Sequence, residues 1–278
     1  MKAFQEGFVT ANAIQIHYYH YQPSQNTRQA IIFLHSVTDN AQCWQRLAQA
    51  LPEGYELILM DGRGHGQSDG PMHGYSTEDR ADDVAGLINA LGLQQPVLIG
   101  DAMGAETAMG TAAIYPQLVR AVVLEDPPWP GRFYGSTPEE RAERASNWRA
   151  DILLQKSRSR EELIEQASKT HPEWSNDELS TWADAKKEAN PNLVGMVTAP
   201  RRRWSDYVRQ AECPILLLTG EPERGAIVSE RTVEEALTFW KNGRRVHLPG
   251  AGHSIRRDQF QPYLVTVVEF LQEVFSAG

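Results

Sequence analysis

The stretch Pro96-Val97-Leu98-Ile99-Gly100-Asp101-Ala102-Met103-Gly104 decides how the rest of the sequence is interpreted. Its apolar first half has the length of a buried strand, and the small residues that follow Gly104 favour a helix. The glycines on either side of Ala102 allow the backbone to turn sharply between the two, as in a nucleophile elbow. An elbow of this kind projects its central side chain out of the sheet. Here that residue is an alanine, which has no nucleophilic group.

Length and composition indicate a globular chain and exclude several function classes. With 278 residues, 41% of them hydrophobic, the chain can bury the core of one large domain. Its net charge of -9 argues against a nucleic-acid partner, because phosphate binding needs a concentrated basic face. No apolar run reaches the roughly 18 residues of a membrane span. The N-terminus lacks the apolar centre of a signal peptide, so we expect a cytoplasmic protein with no membrane partner.

The two cysteines, Cys43 and Cys213, lie far apart and without a CxxC or histidine-rich pattern. They therefore predict neither a disulfide framework nor a metal site. No organic cofactor is implied either, and the sequence leaves the oligomeric state unknown.

Apolar strands and amphipathic helices alternate along most of the chain. This alternation predicts an α/β fold in which helices cover a mostly parallel, eight-stranded sheet. The predicted strands lie near residues 8–10, 14–19, 30–34, 55–60, 96–100, 119–124, 214–220 and 245–248. Residues 130–210 break the alternation, because they are charged and helical in pattern. They also hold the tryptophans Trp148, Trp174, Trp182 and Trp204, which favours a folded insert over a linker.

Four short motifs occur in order along the chain. They are His35-Ser36 after the third strand, the loop from Asp61 to Ser68, the elbow from Gly100 to Gly104, and Gly250-Ala251-Gly252-His253 near the C-terminus. Together they resemble the α/β-hydrolase fold superfamily, in its serine ester and lactone hydrolase branch. The resemblance implies a core of residues 1–129 and 211–278, with a helical cap of residues 130–210 inserted after the sixth strand.

The resemblance also implies a Ser-His-acid triad built around position 102. In that chemistry a serine attacks a carbonyl, a histidine takes its proton and a carboxylate orients the histidine. His253 occupies the place of the histidine. The acid has three candidates, all of which follow a strand. Asp126 follows the sixth strand and is preferred, while Glu223 and Glu221 follow the seventh.

Further site residues follow from the same resemblance. The backbone amides of Val37 and Met103 are the expected oxyanion donors. Ser36 stands where the family usually has glycine, and its hydroxyl could add a donor. His35 and Trp129 are expected to contact substrate, and the tryptophans of the insert are candidates for an apolar lid.

Ala102 itself has three interpretations. The first is an inactivated Ser-to-Ala variant of a hydrolase, which the retained histidine and carboxylates favour. The second is a natural pseudoenzyme or receptor that binds a ligand without turning it over. The third is a cofactor-independent dioxygenase, because members of that kind rely on the histidine and an acid after the sixth strand.

The expected partner is a small hydrophobic ester or lactone, because the predicted cap is rich in aromatic residues. The basic run Arg201-Arg202-Arg203 could meet a substrate carboxylate, although a solvated surface is the simpler interpretation. The identity of the substrate is beyond what these patterns predict.

Overall fold

A computed structural model describes residues 1–24, 29–129 and 136–276. Its eight strands are β1 (Gln5–Ala11), β2 (Ile14–Tyr21), β3 (Ala30–Leu34), β4 (Glu56–Met60), β5 (Val97–Asp101), β6 (Ala121–Glu125), β7 (Ile215–Thr219) and β8 (Gly243–His247). They form one sheet in the order β1-β2-β4-β3-β5-β6-β7-β8. β2 pairs antiparallel with both β1 and β4, and all other neighbours are parallel. The predicted eight-stranded, mostly parallel sheet is therefore confirmed.

The helices before the sixth strand and after the seventh cover both faces of the sheet. They are α1 (Gln45–Ala50), α2 (Thr77–Leu91), α3 (Met103–Ile114), α9 (Glu230–Phe239), α10 (Ile255–Asp258) and α11 (Phe260–Ser276). Helix α2 begins at a capping box between Ser76 and Asp79 and ends at Gly92, whose φ of 65° suits glycine. None of the described helices combines the length and apolarity that a bilayer span requires.

Two hydrophobic clusters lie on opposite faces of the central strands. Along β3, Ile32 packs into the cluster under α2 and α3, while Ile31 and Phe33 pack into the cluster under α1 and α11. Strands buried on both faces need apolar residues at every position, which explains why they read as continuous apolar runs.

The chain between β6 and β7 is helical. It contains α4 (Pro138–Ser157), α5 (Arg160–Thr170), α6 (Asn176–Glu188), α7 (Gly195–Thr198) and α8 (Trp204–Gln210). Residues 130–135, where the predicted insert begins, lie outside the described residues. Helix α8 packs its Trp204, Tyr207 and Val208 into the same cluster as the core strands. We therefore propose that the cap consists of α4 to α7 and that α8 belongs with the core.

Gly104 allows α3 to lie directly against the end of β3. A Cβ atom at this position would come within 1.9 Å of the Leu34 carbonyl oxygen, which is far inside van der Waals contact. A Cβ atom at Gly110, later in the same helix, would instead meet the Thr77 side-chain methyl at 2.6 Å. A side chain can rotate away, whereas a strand carbonyl cannot.

We expect Gly104→Ala to lower the free energy of unfolding by about 3 kcal/mol or more, because helix and strand must separate. Gly110→Ala is the matched control. It should change stability by no more than about 1 kcal/mol, since the gain in helix propensity offsets the crowding. Urea unfolding of both variants measures the difference, and equal losses would contradict this account of α3.

Candidate active site

Ala102 lies in the turn between β5 and α3 with φ 44° and ψ -109°. Positive φ is costly for a residue with a side chain, typically about 1–3 kcal/mol, and persists only where the surroundings enforce it. Two contacts enforce it here. A Cβ atom on Gly100 would approach the Gly104 backbone to 2.3 Å, and the Ala102 amide donates to the Glu125 carbonyl at 2.9 Å. The residue thus has the conformation of a nucleophile elbow.

His253 and Asp126 form a hydrogen-bonded pair beside this turn. The His253 Nδ1 atom lies 2.6 Å from Asp126 Oδ2. Because a carboxylate only accepts, Nδ1 carries the hydrogen and Nε2 is left as the basic nitrogen. The Asp126 side chain is fully buried, whereas that of His253 is 39% exposed and lines the same cavity as Ala102.

Backbone amides hold the Asp126 carboxylate in place. The Ile227 amide donates to both of its oxygens, at 3.1 and 2.8 Å, and the Val228 amide donates to Oδ1 at 2.9 Å. Asp126 itself has φ 39°, so the chain leaves β6 through a second strained residue that turns the side chain towards His253. Hydrogen bonds of this kind to a carboxylate are stronger than those between neutral groups, and here they fix its orientation.

The other two candidate acids do not meet the histidine. Glu223 is exposed in a 3-10 turn, Pro222–Arg224. Glu221 accepts from the Gly250 amide at 3.1 Å and so braces the loop that precedes His253. Of the three predicted alternatives, the structure brings Asp126 together with the histidine.

The environment of His253 favours its protonated form. Burial opposes the charge, but the hydrogen bond and charge of Asp126, with the charges of Asp101 and Glu125, outweigh burial and raise the pKa of His253 above its ordinary value.

The predicted oxyanion residues border the same space. Ser36, Val37 and Met103 all line the cavity with Ala102 and His253. Met103 is the first residue of α3, so its amide is one of those that have no acceptor within the helix.

Two buried histidines support the loop that carries Ser36 and Val37. His35 accepts from the Gly62 amide through Nε2 at 2.9 Å, and its Nδ1 lies 2.7 Å from the Ser36 carbonyl oxygen. His65 accepts from the Thr38 amide at 3.0 Å. Burial lowers the pKa of His65 well below its usual value, so His65 acts as a neutral brace.

The two predicted substrate contacts, His35 and Trp129, do not line the cavity. His35 is only 1% exposed and is engaged by the loop bonds above. Trp129 is also 1% exposed, because its ring stacks on Trp204 with a centroid distance of 5.0 Å and an interplanar angle of 22°. Its neighbour Pro128 borders the cavity instead.

The cavity has a volume of about 420 Å³ and lies between the carboxyl ends of the strands and the cap. This is a size suited to a small organic ligand. Trp148 of α4 and Met196 of α7 contribute apolar surface from the cap. Of the other tryptophans in the predicted lid, Trp174 stacks on His171 outside the cavity.

Several lining residues were not predicted from the sequence. Arg80 of α2 donates to Glu106 of α3 at 2.7 Å, and both face the cavity. Arg201, for which the sequence favoured a solvated surface over a substrate contact, also lines it and donates to the Met196 carbonyl at 2.9 Å. No local pattern marks Arg80 or Glu106, since both occupy ordinary helical positions.

A larger groove of about 790 Å³ lies at the opposite, amino ends of the strands. It contains Cys213, but burial raises the pKa of that thiol to about 12, so the thiol stays protonated.

Within the described ranges, the ligand atoms of His171, Glu173 and Asp258 lie within 4.8 Å of one another, a spacing that could hold a metal ion. Asp258 already accepts from Trp174 and from the Gly252 amide. This group lies outside the cavity lining, and we assign it no role there.

Comparison with known sequences decides the family. The profile of the alpha/beta hydrolase fold family matches residues 29–256, which is most of the chain. The chain belongs to the alpha/beta hydrolase fold family. Its eight-stranded, mostly parallel sheet is that of this fold, and the relatives support hydrolase activity of the alpha/beta type.

Three relatives of this alpha/beta hydrolase are informative. A putative 2-succinyl-6-hydroxy-2,4-cyclohexadiene-1-carboxylate synthase of Bacillus subtilis is 30% identical over 264 residues, which is 90% of this chain and 92% of that protein. A 2-(acetamidomethylene)succinate hydrolase of Mesorhizobium japonicum is 42% identical over 96 residues, so the match spans 34% of each protein. A crystal structure of E-2-(acetamidomethylene)succinate hydrolase shares the fold, with a TM-score of 0.78 at 23% identity, and the match covers 97% of this chain and 100% of that one.

We expect the pKa of His253 to lie above the ordinary histidine value. In Asp126→Asn, we expect this pKa to be lower than in the parent chain. The sign follows because the aspartate charge stabilises the imidazolium. Histidine resonances followed by NMR against pH measure the shift. Glu223→Gln is the control and should leave the titration unchanged. An unmoved titration in Asp126→Asn would contradict the pairing.

Proposed function

We propose that this alpha/beta hydrolase cleaves a carboxylic ester or lactone of a small, largely apolar molecule by a Ser-His-Asp mechanism. We further propose that position 102 of the active enzyme is serine and that the chain with Ala102 is its inactive form. The observation that carries the proposal is the His253–Asp126 pair, which faces the cavity beside a strained elbow.

The proposed chemistry gives each part of the site a role. A serine hydroxyl at position 102 attacks the substrate carbonyl while His253 Nε2 takes its proton and Asp126 holds the imidazolium. The amides of Met103 and Val37 donate to the oxyanion. His253 then passes the proton to the departing alcohol, and an acyl-enzyme remains. Water attacks the acyl-enzyme by the reverse proton route and releases the acid and the serine.

The alternative interpretations predict different behaviour for a serine at this position. A ligand-binding pseudoenzyme has no use for the hydroxyl, and Ala102→Ser would then bind ligand without turning it over. A cofactor-independent dioxygenase depends on the histidine and acid alone, and the Ala102 chain would consume oxygen with a suitable heteroaromatic substrate. The retained elbow strain favours the hydrolase, because 1–3 kcal/mol of strain has no evident use without a nucleophile.

We expect Ala102→Ser to raise the turnover of p-nitrophenyl esters or lactones by about four to six orders of magnitude over the Ala102 chain. In the Ala102→Ser background, Asp126→Asn should reduce kcat by about 10³-fold or more, because the histidine loses its tautomer and its counter-charge. Glu223→Gln is the matched control and should retain activity. An inert Ala102→Ser protein that still binds ligand would refute the hydrolase proposal.

The cavity charges support a substrate that also carries a carboxylate. Among its described lining residues are the cations Arg80 and Arg201 and the anion Glu106, so the balance is positive in a chain whose net charge is -9. The names of the two sequence relatives contain a succinate and a cyclohexadiene carboxylate. We infer that Arg201, which borders the cavity from the cap side, contacts that carboxylate.

In the Ala102→Ser background, we expect Arg201→Gln to raise KM for a carboxylate-bearing ester about tenfold or more, since a charged hydrogen bond contributes about 1.5–3 kcal/mol. KM for a neutral ester of equal size should stay unchanged. Arg203→Gln is the control, because Arg203 is exposed as Arg201 is but does not line the cavity. If the two variants changed KM equally, Arg201 would make no specific contact with the substrate carboxylate, which would contradict this inference.

A further inference from the structure

A buried charged residue lies close in sequence to each of Ala102, Asp126 and His253. Asp101 precedes Ala102, and Glu125 precedes Asp126. Arg256 follows His253 by three residues and lies in the short helix α10. The side chains of Glu125 and Arg256 are each 1% exposed and that of Asp101 is 10% exposed. The hydrolytic mechanism proposed above uses none of them.

Arg256 connects these segments. Its Nη1 lies 3.7 Å from Asp101 Oδ2 and 3.6 Å from Glu125 Oε2. Its backbone amide donates to Glu125 Oε1 at 2.8 Å. The carboxylate before the acid is therefore held by both the side chain and the main chain of one residue.

The guanidinium is itself fixed by the core. It lies over the Trp44 ring, 4.0 Å from the centroid, and Nη2 donates to the Cys43 carbonyl at 3.1 Å. An arginine fork can direct donors to several acceptors at once and stack on an aromatic face, which a lysine cannot do. Arg256 thus connects the site to the buried 3-10 turn Ala41–Trp44.

The two residues that follow the carboxylates have strained backbones. Ala102 has φ 44° and Asp126 has φ 39°. Their strands are neighbours, and Asp101 pairs with Glu125 in the parallel register of β5 and β6. Conformations of this kind persist only where the surroundings over-determine them. The anchored carboxylates lie one residue before each strained position.

We propose that Arg256 is a positioning residue that holds the nucleophile turn, the acid and the histidine loop in one frame. The kinetic part of this proposal rests on the proposed hydrolase function, whereas its structural part does not. A role in stability alone is a poor explanation, because apolar residues of similar volume commonly replace buried ion pairs without loss.

Arg257 offers a matched control. It is adjacent and also buried, and it pairs with Asp39 at 3.1 Å and Glu178 at 3.0 Å. It lies over Trp174 at 4.7 Å, as Arg256 does over Trp44. Neither of its carboxylate partners adjoins Ala102 or Asp126. Arg257→Gln should therefore disturb a comparable ionic contact while leaving the positioning of the triad intact.

The first measurement uses the Ala102 chain and needs no activity. Long-range proton–nitrogen NMR reports which nitrogen of His253 carries the hydrogen. At a pH above the pKa of His253, where the imidazole is neutral, we expect the Nδ1-H tautomer to dominate in the parent chain and in Arg257→Gln. In Arg256→Gln its population should fall as the bond to Asp126 loosens. An unchanged tautomer in Arg256→Gln would overturn the structural part of the proposal.

The second measurement uses the Ala102→Ser background. Arg256→Gln should lower kcat about tenfold to a hundredfold with KM changed less than about threefold, because small displacements of reacting groups slow the chemical step. Arg257→Gln should lower kcat less than Arg256→Gln, because its partners Asp39 and Glu178 do not adjoin Ala102 or Asp126. If the two variants lose melting temperature and kcat in equal measure, Arg256 is merely structural. If Ala102→Ser is itself inert, the hydrolase proposal fails, and the NMR result alone then decides whether Arg256 is a positioning residue.

Should Arg256→Gln fail to fold, Asp101→Asn serves in its place. This variant removes the charged contact between Arg256 and position 101 and leaves the contact between Arg256 and Glu125. We expect it to lower kcat several-fold without raising KM and to reduce the Nδ1-H tautomer in the Ala102 chain. Parent values for both quantities in Asp101→Asn would overturn the proposal.

Discussion

The close approach of α3 to the ends of β3 and β5 is the constraint on which the site depends. With no side chains at Gly100 and Gly104, the helix begins within contact distance of the strand carbonyls. The connecting residue is then forced to a positive φ, and its Cβ points into the cavity. The same approach places the first amide of α3 beside that Cβ. One packing contact therefore sets both the proposed nucleophile position and one of the proposed oxyanion donors.

A layer of buried charge adjoins the apolar strands at this end of the sheet. Burial, opposed by the charge of Arg256, raises the pKa of Glu125 to about 7, so the site rests on groups whose charges depend on one another. The layer extends to the cap, where Lys186 of α6 donates to the Thr38 carbonyl at 2.9 Å and Arg257 pairs with Glu178. Because buried ions tolerate little displacement, core and cap have a defined arrangement around the cavity.

The sheet could be predicted because strands buried on both faces leave a continuous apolar signature, as β3 and β6 do. The histidine and the elbow could be predicted because their glycines are local requirements. Asp126 was preferred over Glu223, but the contacts that hold it against His253 could not be predicted, since they depend on the positive φ of Asp126 and on the amides of Ile227 and Val228, which come from a distant segment. Trp129 was misplaced for the same reason, because its neighbour Trp204 arrives from the other end of the insert.

The cost of the elbow bears on how Ala102 is interpreted. A residue at φ 44° is strained whether it is serine or alanine, so an alanine here bears the cost of the turn and supplies no nucleophile. Asp126 is strained as well and is directed at a histidine that has no hydroxyl at position 102 to activate. A chain that had long dispensed with catalysis would be free to relax both turns. Their joint retention, together with a buried guanidinium that anchors the residues before them, is the arrangement expected of a site built for a nucleophile.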